Sequence, residues 1–313
     1  MSNVYFIGSK YWCDYLAEKL GDERGLRATA VDLSSIKSLS QMFDRRGVTI
    51  VVVGLGARVS PKRIAIWAML VAFWIRGFSS NRIVFYWIGS DVLSLGSNRY
   101  ARIFSKLTKL FRAKHICGAP WFVDELQRYG IRAQPVLFPY DTEAASVYAD
   151  APLPVNPFTI CTYLTSNGWK TLEGHRILHI AAQTPDVRWV VMGMNENDIP
   201  KSEAVSSNVT FTGWVDNPLA VQSRCHALLR LVRHDAFSGV VRDALAMRRL
   251  VLYSLPVKGA YNVGGKSDCE IADIVNNFAA GSRYSYSADV HDVQETLKPF
   301  AEQIDDLRRA IEG

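Results

Sequence analysis

The sequence predicts an α/β protein made of two doubly wound units, each built on a parallel sheet. Short β-rich runs alternate with helical segments, which is the pattern of βαβ units. The alternation breaks at 151–157, where three prolines in seven residues disfavour both helix and central strand, and then restarts. The length of 313 residues is also about twice the commonest domain size.

The first half supplies the elements of one unit. Its strand at 48–53 is apolar throughout, as expected of a strand that is buried on both faces. The predicted strands are 4–7, 28–31, 48–53 and 83–88, and the predicted helices are 11–20 and 64–75. Gly8 ends the first strand, and we include it among the candidate binding residues.

The second half repeats the alternation. The predicted strands are 158–163, 189–192, 209–211, 227–232 and 250–253, and the predicted helices are 172–183, 239–247 and a tail at 289–311. Neither half has G-x-G-x-x-G after its first strand, because Gly54-Leu55-Gly56 lacks the third glycine. A nicotinamide or flavin cofactor is therefore not supported.

Composition excludes several classes of protein. Apolar residues make up 49% and charged residues 21% of the chain, which argues against a disordered or fibrous protein. The five cysteines form no C-x-x-C pair, so neither a disulfide framework nor a zinc knuckle is expected. The start of the chain lacks the pattern of an export signal, and the longest apolar run, 64–75, is too short to span a bilayer. We expect a cytoplasmic protein.

The most informative stretch is 234–246. The strand at 227–232 leads into a loop with Asp235, and Ser238 can cap the helix that follows. Gly239 lets a ligand approach the backbone, where free N–H groups and the helix dipole favour a phosphate. Asp243, one turn later, can accept hydrogen bonds from a polyol such as ribose. On spacing alone, Ser238 and Asp243 are equally well explained as a helix cap and a dipole partner.

This stretch resembles the donor-binding segment of the retaining GT-B glycosyltransferases of family 4, which usually reads E-G-F-P-x-x-x-x-E-A-x-A. Here the pattern is acid, small, Phe, small, small, Val, Val, x, acid, Ala, x, Ala. Further stretches similar to that family follow in its order. They are Trp87-Ile88-Gly89-Ser90-Asp91-Val92, the helix-like 121–131, Trp189-Val190-Val191-Met192-Gly193, and Phe211-Thr212-Gly213-Trp214-Val215.

The resemblance implies a GT-B fold, with two Rossmann-like domains facing across a cleft. Residues 1–150 would form the acceptor-side domain and 151–288 the nucleotide-sugar domain, and the helix in 289–313 would return to the first domain. The implied activity is transfer of a sugar from a nucleotide-diphosphate sugar, of UDP or GDP type, to a glycan or lipid-linked acceptor. The resemblance implies retention and no metal or other cofactor.

The same resemblance assigns roles in the donor site. Asp243 would hold the ribose, Asp235 would contact the donor sugar, and Lys170 would neutralise the departing diphosphate. The diphosphate would meet the amides at the start of the helix, so the donor-binding candidates there are Phe237, Ser238, Gly239 and Val240. Asp91 is the only carboxylate between Asp44 and Asp124, and it is either an acceptor-binding group or a cap at a strand end.

Some family features are absent. The family's arginine falls near Tyr163 or Leu164 and is missing here, and both family glutamates are aspartates. The alternative is therefore a non-catalytic GT-B-like protein that binds a nucleotide or a partner. His175 and His179 have the i, i+4 spacing of metal ligands, but no third ligand is evident in the sequence.

The excess of positive charge lies in the first half of the chain. The net charge is +6, and residues 1–150 alone carry +8. Within them, 99–114 has apolar residues at helical spacing and a basic remainder, which predicts an amphipathic helix for an anionic membrane or acceptor. Its candidate residues are Arg99, Arg102, Lys106, Lys109 and Arg112. The alternative is an ordinary helix packed on the sheet, and a nucleic-acid partner has no motif to support it.

Overall fold

The computed structural model describes residues 3–21, 27–32, 47–54, 61–76, 81–96, 101–110, 112–281 and 290–313. The chain forms two compact units. The first unit contains residues 1–140 and 299–313, and the second contains residues 141–298. Each unit has a six-stranded sheet in which every recorded pair of neighbouring strands is parallel. The predicted α/β class is thus confirmed.

The sheet of the first unit has the strand order β2-β1-β3-β4-β5-β6. Its strands are β1 (Asn3–Gly8), β2 (Arg27–Ala30), β3 (Thr49–Val53), β4 (Arg82–Trp87), β5 (Lys114–Cys117) and β6 (Gln134–Pro135). Its helices are α1 (Lys10–Gly21), α2 (Pro61–Arg76), α3 (Ser90–Gly96), α4 (Ala101–Leu110), α5 (Phe122–Gln127) and, from the end of the chain, α12 (Phe300–Glu312). The order places β3 and β4 at the centre, and all five residues of β3 are buried, as expected of a strand that is covered on both faces.

The sheet of the second unit has the order β12-β11-β10-β7-β8-β9. Its strands are β7 (Thr159–Tyr163), β8 (Arg188–Met192), β9 (Val209–Gly213), β10 (Ala227–Arg230), β11 (Leu250–Tyr253) and β12 (Tyr261–Asn262). Its helices are α6 (Glu143–Ser146), α7 (Gly174–Ala182), α8 (Pro218–Gln222), α9 (Gly239–Ala246), α10 (Asp268–Ala279) and α11 (Val290–Thr296).

Each sheet has its own core. In the first unit, Phe6 and Val51 from the strands pack with Leu16 of α1 and Leu307 of α12. The second core is built from strand residues and from α7 and α10, and its largest fully buried member is Trp189. Burial of this apolar surface orders both sheets, and it thereby fixes the strand ends at which the candidate site lies.

Two helix predictions are wrong in their bounds. The helix predicted over 99–114 ends at Leu110, because Arg112 takes the left-handed conformation, with φ +50°, and Lys114 begins β5. The tail predicted as one helix over 289–311 is two, α11 and α12, since Pro299 stands in the N-cap position of α12. In the part of the chain that is described, no helix combines the length and apolar character needed to cross a membrane.

Candidate functional site

The candidate site lies at the carboxyl edge of the second unit's sheet. Because all strands run parallel, the segments after β7 and after β10 leave the sheet at this same edge. The first contains Lys170 and the second contains Asp235, and the backbone N–H of Arg233 donates to the Thr171 carbonyl at 3.2 Å. This hydrogen bond joins the two segments, so the structure brings Lys170 and Asp235 to the same edge.

The N-terminus of α9 has unsatisfied backbone donors. Ser238 occupies the N-cap position with extended backbone, φ −52° and ψ 140°, but its side chain makes no capping hydrogen bond. The predicted Ser238 cap is therefore wrong in this respect. The first N–H groups of a helix have no intrahelical acceptor, and those of Gly239 and Val240 donate to none in the described chain. They are available to an anion.

Phe237 turns the chain into this helix. Its φ of +56° is in the left-handed region, which is uncommon for a residue with a side chain. Its ring is buried, and the guanidinium carbon of Arg242 stands 4.6 Å from the ring centroid. These contacts offset the backbone strain and fix the loop that precedes the free amides.

Asp235 is held by Arg230, which is not among the residues predicted from the sequence. Nε and Nη2 of Arg230 donate to Oδ2 of Asp235 at 3.3 and 3.2 Å, and Nη1 donates to the Tyr163 carbonyl at 3.2 Å. The backbone N–H of Ala236 donates to the other carboxylate oxygen at 2.9 Å. The Arg230 and Asp235 side chains keep 10% and 16% of their surface exposed. The carboxylate therefore has one fixed orientation.

Three more side chains belong to the candidate site, namely those of Lys170, Asp243 and Tyr253. Lys170 is exposed, and it forms no ion pair with any described residue. Asp243 lies within α9 and is buried, with 4% of its surface exposed. The Tyr253 hydroxyl is buried near the Asp235 carboxylate and the Ser238 backbone. Burial and the nearby Asp235 carboxylate raise the pKa of Tyr253, so the hydroxyl keeps its proton.

Two candidates, Asp91 and Gly8, lie in the first unit, and both have structural roles there. The Asp91 carboxylate is buried and accepts backbone N–H groups of Ile88, Gly89 and Val92 at 3.0, 2.8 and 3.0 Å. Its burial raises the pKa of Asp91 to about 6, although these hydrogen bonds act in the other direction. Gly8 has φ +130°, and a Cβ there would lie 2.0 Å from the Val53 carbonyl oxygen. Acceptor binding by Asp91 and donor binding by Gly8 stay predictions.

The basic candidates are only partly described. Lys106 and Lys109 are exposed on α4, beside Ile103 and Leu110, which keep 55% and 57% of their surface exposed. Arg112 is exposed but follows the helix, so its predicted place on the helix is wrong. Arg99 lies outside the described residues, and of Arg102 only the backbone is described.

The two histidines of the predicted metal-ligand spacing, His175 and His179, have different surroundings. Nδ1 of His179 lies 2.9 Å from Oδ2 of Asp268, whose other oxygen accepts from Nε of Arg176 at 2.6 Å. His175 is exposed on the same helix. Across the described ranges, no three potential metal-ligating side chains form a group.

A second ion-pair cluster was also missed from the sequence. Glu173 is buried in a left-handed conformation, with φ +51°, and its carboxylate accepts from Nε of Arg233. The sequence gives little indication of this ion pair, because a glutamate in a turn and an exposed arginine have the pattern of ordinary surface residues. For Arg230 a signal existed, since a charged residue inside an otherwise apolar strand must have a buried partner.

The chain is similar in structure to several solved glycosyltransferases. The Anabaena protein Alr3699/HepE, solved with UDP-glucose, matches at a TM-score of 0.68 and 12% identity over 100% of both chains. The lipopolysaccharide outer core galactosyltransferase WaaB matches at 0.68 and 10% identity over 99% of both. Sucrose-phosphate synthase from Thermosynechococcus elongatus matches at 0.62 and 12% identity, over 99% of this chain and 98% of that one.

No protein-family model matches the sequence, and no curated protein matches it significantly. At 10–12% identity the structural similarity establishes the fold. The agreement extends over the full chain and includes both parallel sheets. The protein therefore has the two-domain GT-B fold.

Proposed function

We propose that the protein is a glycosyltransferase that moves a sugar from a nucleotide-diphosphate sugar to a glycan or lipid-linked acceptor. One observation carries the proposal, namely the meeting of free α9 amides, an exposed lysine and a fixed carboxylate at one sheet edge. The GT-B fold supports it, because the similar proteins include one solved with UDP-glucose and one named as a galactosyltransferase.

Each group at the edge suits one part of such a donor. The N–H groups of Gly239 and Val240 and the positive end of the α9 dipole favour the diphosphate. Lys170 adds a charge that stabilises the diphosphate as it leaves, which is where negative charge develops during transfer. Asp235 can accept hydrogen bonds from sugar hydroxyls, and Asp243 from the ribose.

In the reaction, the bond from the anomeric carbon to the diphosphate oxygen breaks, and the diphosphate keeps the electron pair. The acceptor hydroxyl oxygen then bonds to the same carbon, and its proton passes to the departing diphosphate. We extend the proposal to retention of configuration and to a metal-independent reaction, both on the motif resemblance. The proposed donor is a UDP-sugar or a GDP-sugar.

The acceptor side of the proposal rests on the first unit. Exposed Ile103 and Leu110 beside exposed Lys106 and Lys109 give α4 both an apolar and a cationic surface. That combination favours an anionic lipid surface or a lipid-linked phosphate. We therefore propose that the enzyme works at the cytosolic face of a membrane, in the synthesis of a cell-surface polysaccharide or glycoconjugate.

The test is release of nucleoside diphosphate from a panel of UDP- and GDP-sugars, with and without membrane extract as acceptor. We expect turnover with one donor, and a decrease of about 100-fold in Lys170→Met and in Asp235→Asn. The matched controls are Lys201→Met and Asp186→Asn, which change exposed residues of the same unit. Undiminished turnover in both site variants contradicts the assigned site, and absence of turnover with every donor favours the non-catalytic binding protein.

A further inference from the structure

We propose that Arg230 is a phosphate-binding residue of the donor site, acting together with Lys170 and the N-terminus of α9. The inference rests on the proposed function, because the phosphate is that of the nucleotide-sugar donor. It adds a cation to a site for which the sequence indicated only one, Lys170.

The position of Arg230 is that of a ligand-facing residue. It is the last residue of β10, in register with Tyr253, the last residue of β11. Nη1 contacts the Tyr163 carbonyl, so the guanidinium lies against the end of β7 as well. Arg230 thus stands at the centre of the carboxyl edge, between the strand that leads to Lys170 and the loop that leads to α9.

The hydrogen bonds of Arg230 leave part of its donor capacity unused. A guanidinium has five N–H groups. Three of them donate to Asp235 and Tyr163, which leaves one N–H on each Nη without an acceptor in the described chain. Each of these two N–H groups can donate to an oxygen of a phosphate. The Arg230 side chain keeps 10% of its surface exposed.

The surrounding charges favour an anion at this edge. Asp235 balances the charge of Arg230, and Glu173 balances that of Arg233. Lys170 has no such partner among the described residues, and the amides of Gly239 and Val240 add the positive end of a helix dipole. A diphosphate would supply the missing negative charge.

The position of Arg230 also bears on the arginine that the motif resemblance leads one to expect and that this chain lacks. The motif resemblance places an arginine near Tyr163 or Leu164, at the end of β7, where this chain has none. Arg230 reaches the backbone of Tyr163 from the neighbouring strand, at 3.2 Å. The chain therefore has a guanidinium beside the end of β7, although it comes from a different position in the sequence.

The experiment is calorimetric titration of the full chain with inorganic pyrophosphate, which probes the phosphate site without a base or sugar. We expect Arg230→Met to weaken binding at least about tenfold, the scale of a charge-assisted hydrogen bond, and Arg230→Lys to weaken it less. The control is Arg249→Met. Arg249 is also a buried arginine that donates to backbone carbonyls, those of Tyr148, Ala151 and Ser223, but it precedes β11 and so lies at the opposite edge of the sheet.

A second comparison distinguishes loss of the phosphate contact from misfolding of Arg230→Met. The double variant Arg230→Met/Asp235→Asn removes both charges and is compared with Asp235→Asn alone. The proposal is overturned by equal pyrophosphate affinity in that pair, by equal weakening in Arg249→Met, or by wild-type protein that does not bind pyrophosphate. Weakened pyrophosphate binding in a protein that turns over no nucleotide sugar would support the phosphate site and contradict the proposed function instead.

Discussion

Arg230 and Asp235 form an ion pair at the end of β10, with Nη2 of the arginine 3.2 Å from Oδ2 of the aspartate. Both side chains are largely buried, and both oxygens of the carboxylate accept hydrogen bonds. The pair therefore ties the loop that precedes α9 to the edge of the sheet. If the donor binds as proposed, substitutions of these two residues will change both stability and donor affinity.

The first prediction concerns the stability of this pair. Arg230→Met leaves a mostly buried carboxylate without its cation, and we expect the free energy of unfolding to fall by about 2–4 kcal/mol. The double variant Arg230→Met/Asp235→Asn should recover part of this loss, because no charge is left unpaired. Urea denaturation of the wild type, Arg230→Met, Asp235→Asn and the double variant measures the coupling energy between the two residues. Strictly additive losses would contradict a coupled pair.

The second prediction concerns the pH dependence due to Asp91. Burial raises the pKa of Asp91 to about 6, whereas the unfolded chain has the ordinary, lower value. Between these two values the native state binds more protons, so the contribution of Asp91 to stability falls as the pH rises through this range. The total decrease is about 2–3 kcal/mol and is complete above pH of about 7.

The matched variant for Asp91 is Asp91→Asn, which does not titrate but can keep the acceptor oxygen Oδ1. That oxygen accepts from Ile88, Gly89 and Val92. The free energy of unfolding of the wild type, minus that of Asp91→Asn, should decrease from pH 4 to pH 7. A difference that does not change with pH would show that burial does not perturb this carboxyl.

The third prediction concerns Gly8. An alanine Cβ would lie 2.0 Å from the Val53 carbonyl oxygen in a backbone with φ +130°, so β1 and β3 would have to separate. We expect Gly8→Ala to lower the free energy of unfolding by at least about 3 kcal/mol, or to prevent soluble expression. Gly47→Ala is the control, since its φ is +67° and nothing lies within 4 Å of its Cβ position. Its loss should be about 1 kcal/mol, and equal losses would reject the steric explanation.

The fourth prediction concerns α4 and membranes. Lys106→Gln/Lys109→Gln should weaken cosedimentation with anionic liposomes at least about tenfold, since each lysine near such a surface contributes about 1 kcal/mol. Binding to neutral liposomes should be weak for both proteins. Lys201→Gln/Arg224→Gln makes the same charge change on exposed residues of the second unit and should leave binding unchanged. Equal binding by the α4 variant would remove this helix as the docking surface.

Regular patterns allowed much of the fold to be predicted. The strand at 48–53 and the helix at 239–247 were found within one residue at each end, because an apolar run and a glycine-led helical pattern are local signals. The end of α4 was not found. Helical spacing continues to Lys114, and the turn at Arg112 depends on a positive φ that no glycine announces. The pairing of β5 with β4 then overrides the helical pattern at Lys114.

The candidate site was predicted less completely than the fold. Its backbone part, the start of α9, follows from the sequence because a strand, a loop and a small residue precede a helix. Its side-chain part depends on which residues meet across strands. Arg230 and Tyr163 are distant in the chain, and only the sheet order β11-β10-β7 brings them together. No local pattern contains that contact.

The central claim is that the N-terminus of α9 binds the diphosphate of the donor, and backbone substitution tests it most directly. Gly239 is the first residue of α9, and Ser238 before it is extended, so proline fits position 239 and removes one N–H. The measurement is calorimetric titration of UDP and GDP into the wild type, Gly239→Ala and Gly239→Pro. We predict that one diphosphate binds, that alanine preserves most of the affinity, and that proline reduces it at least about tenfold. Binding of neither diphosphate, or equal affinity in the alanine and proline variants, would contradict the claim.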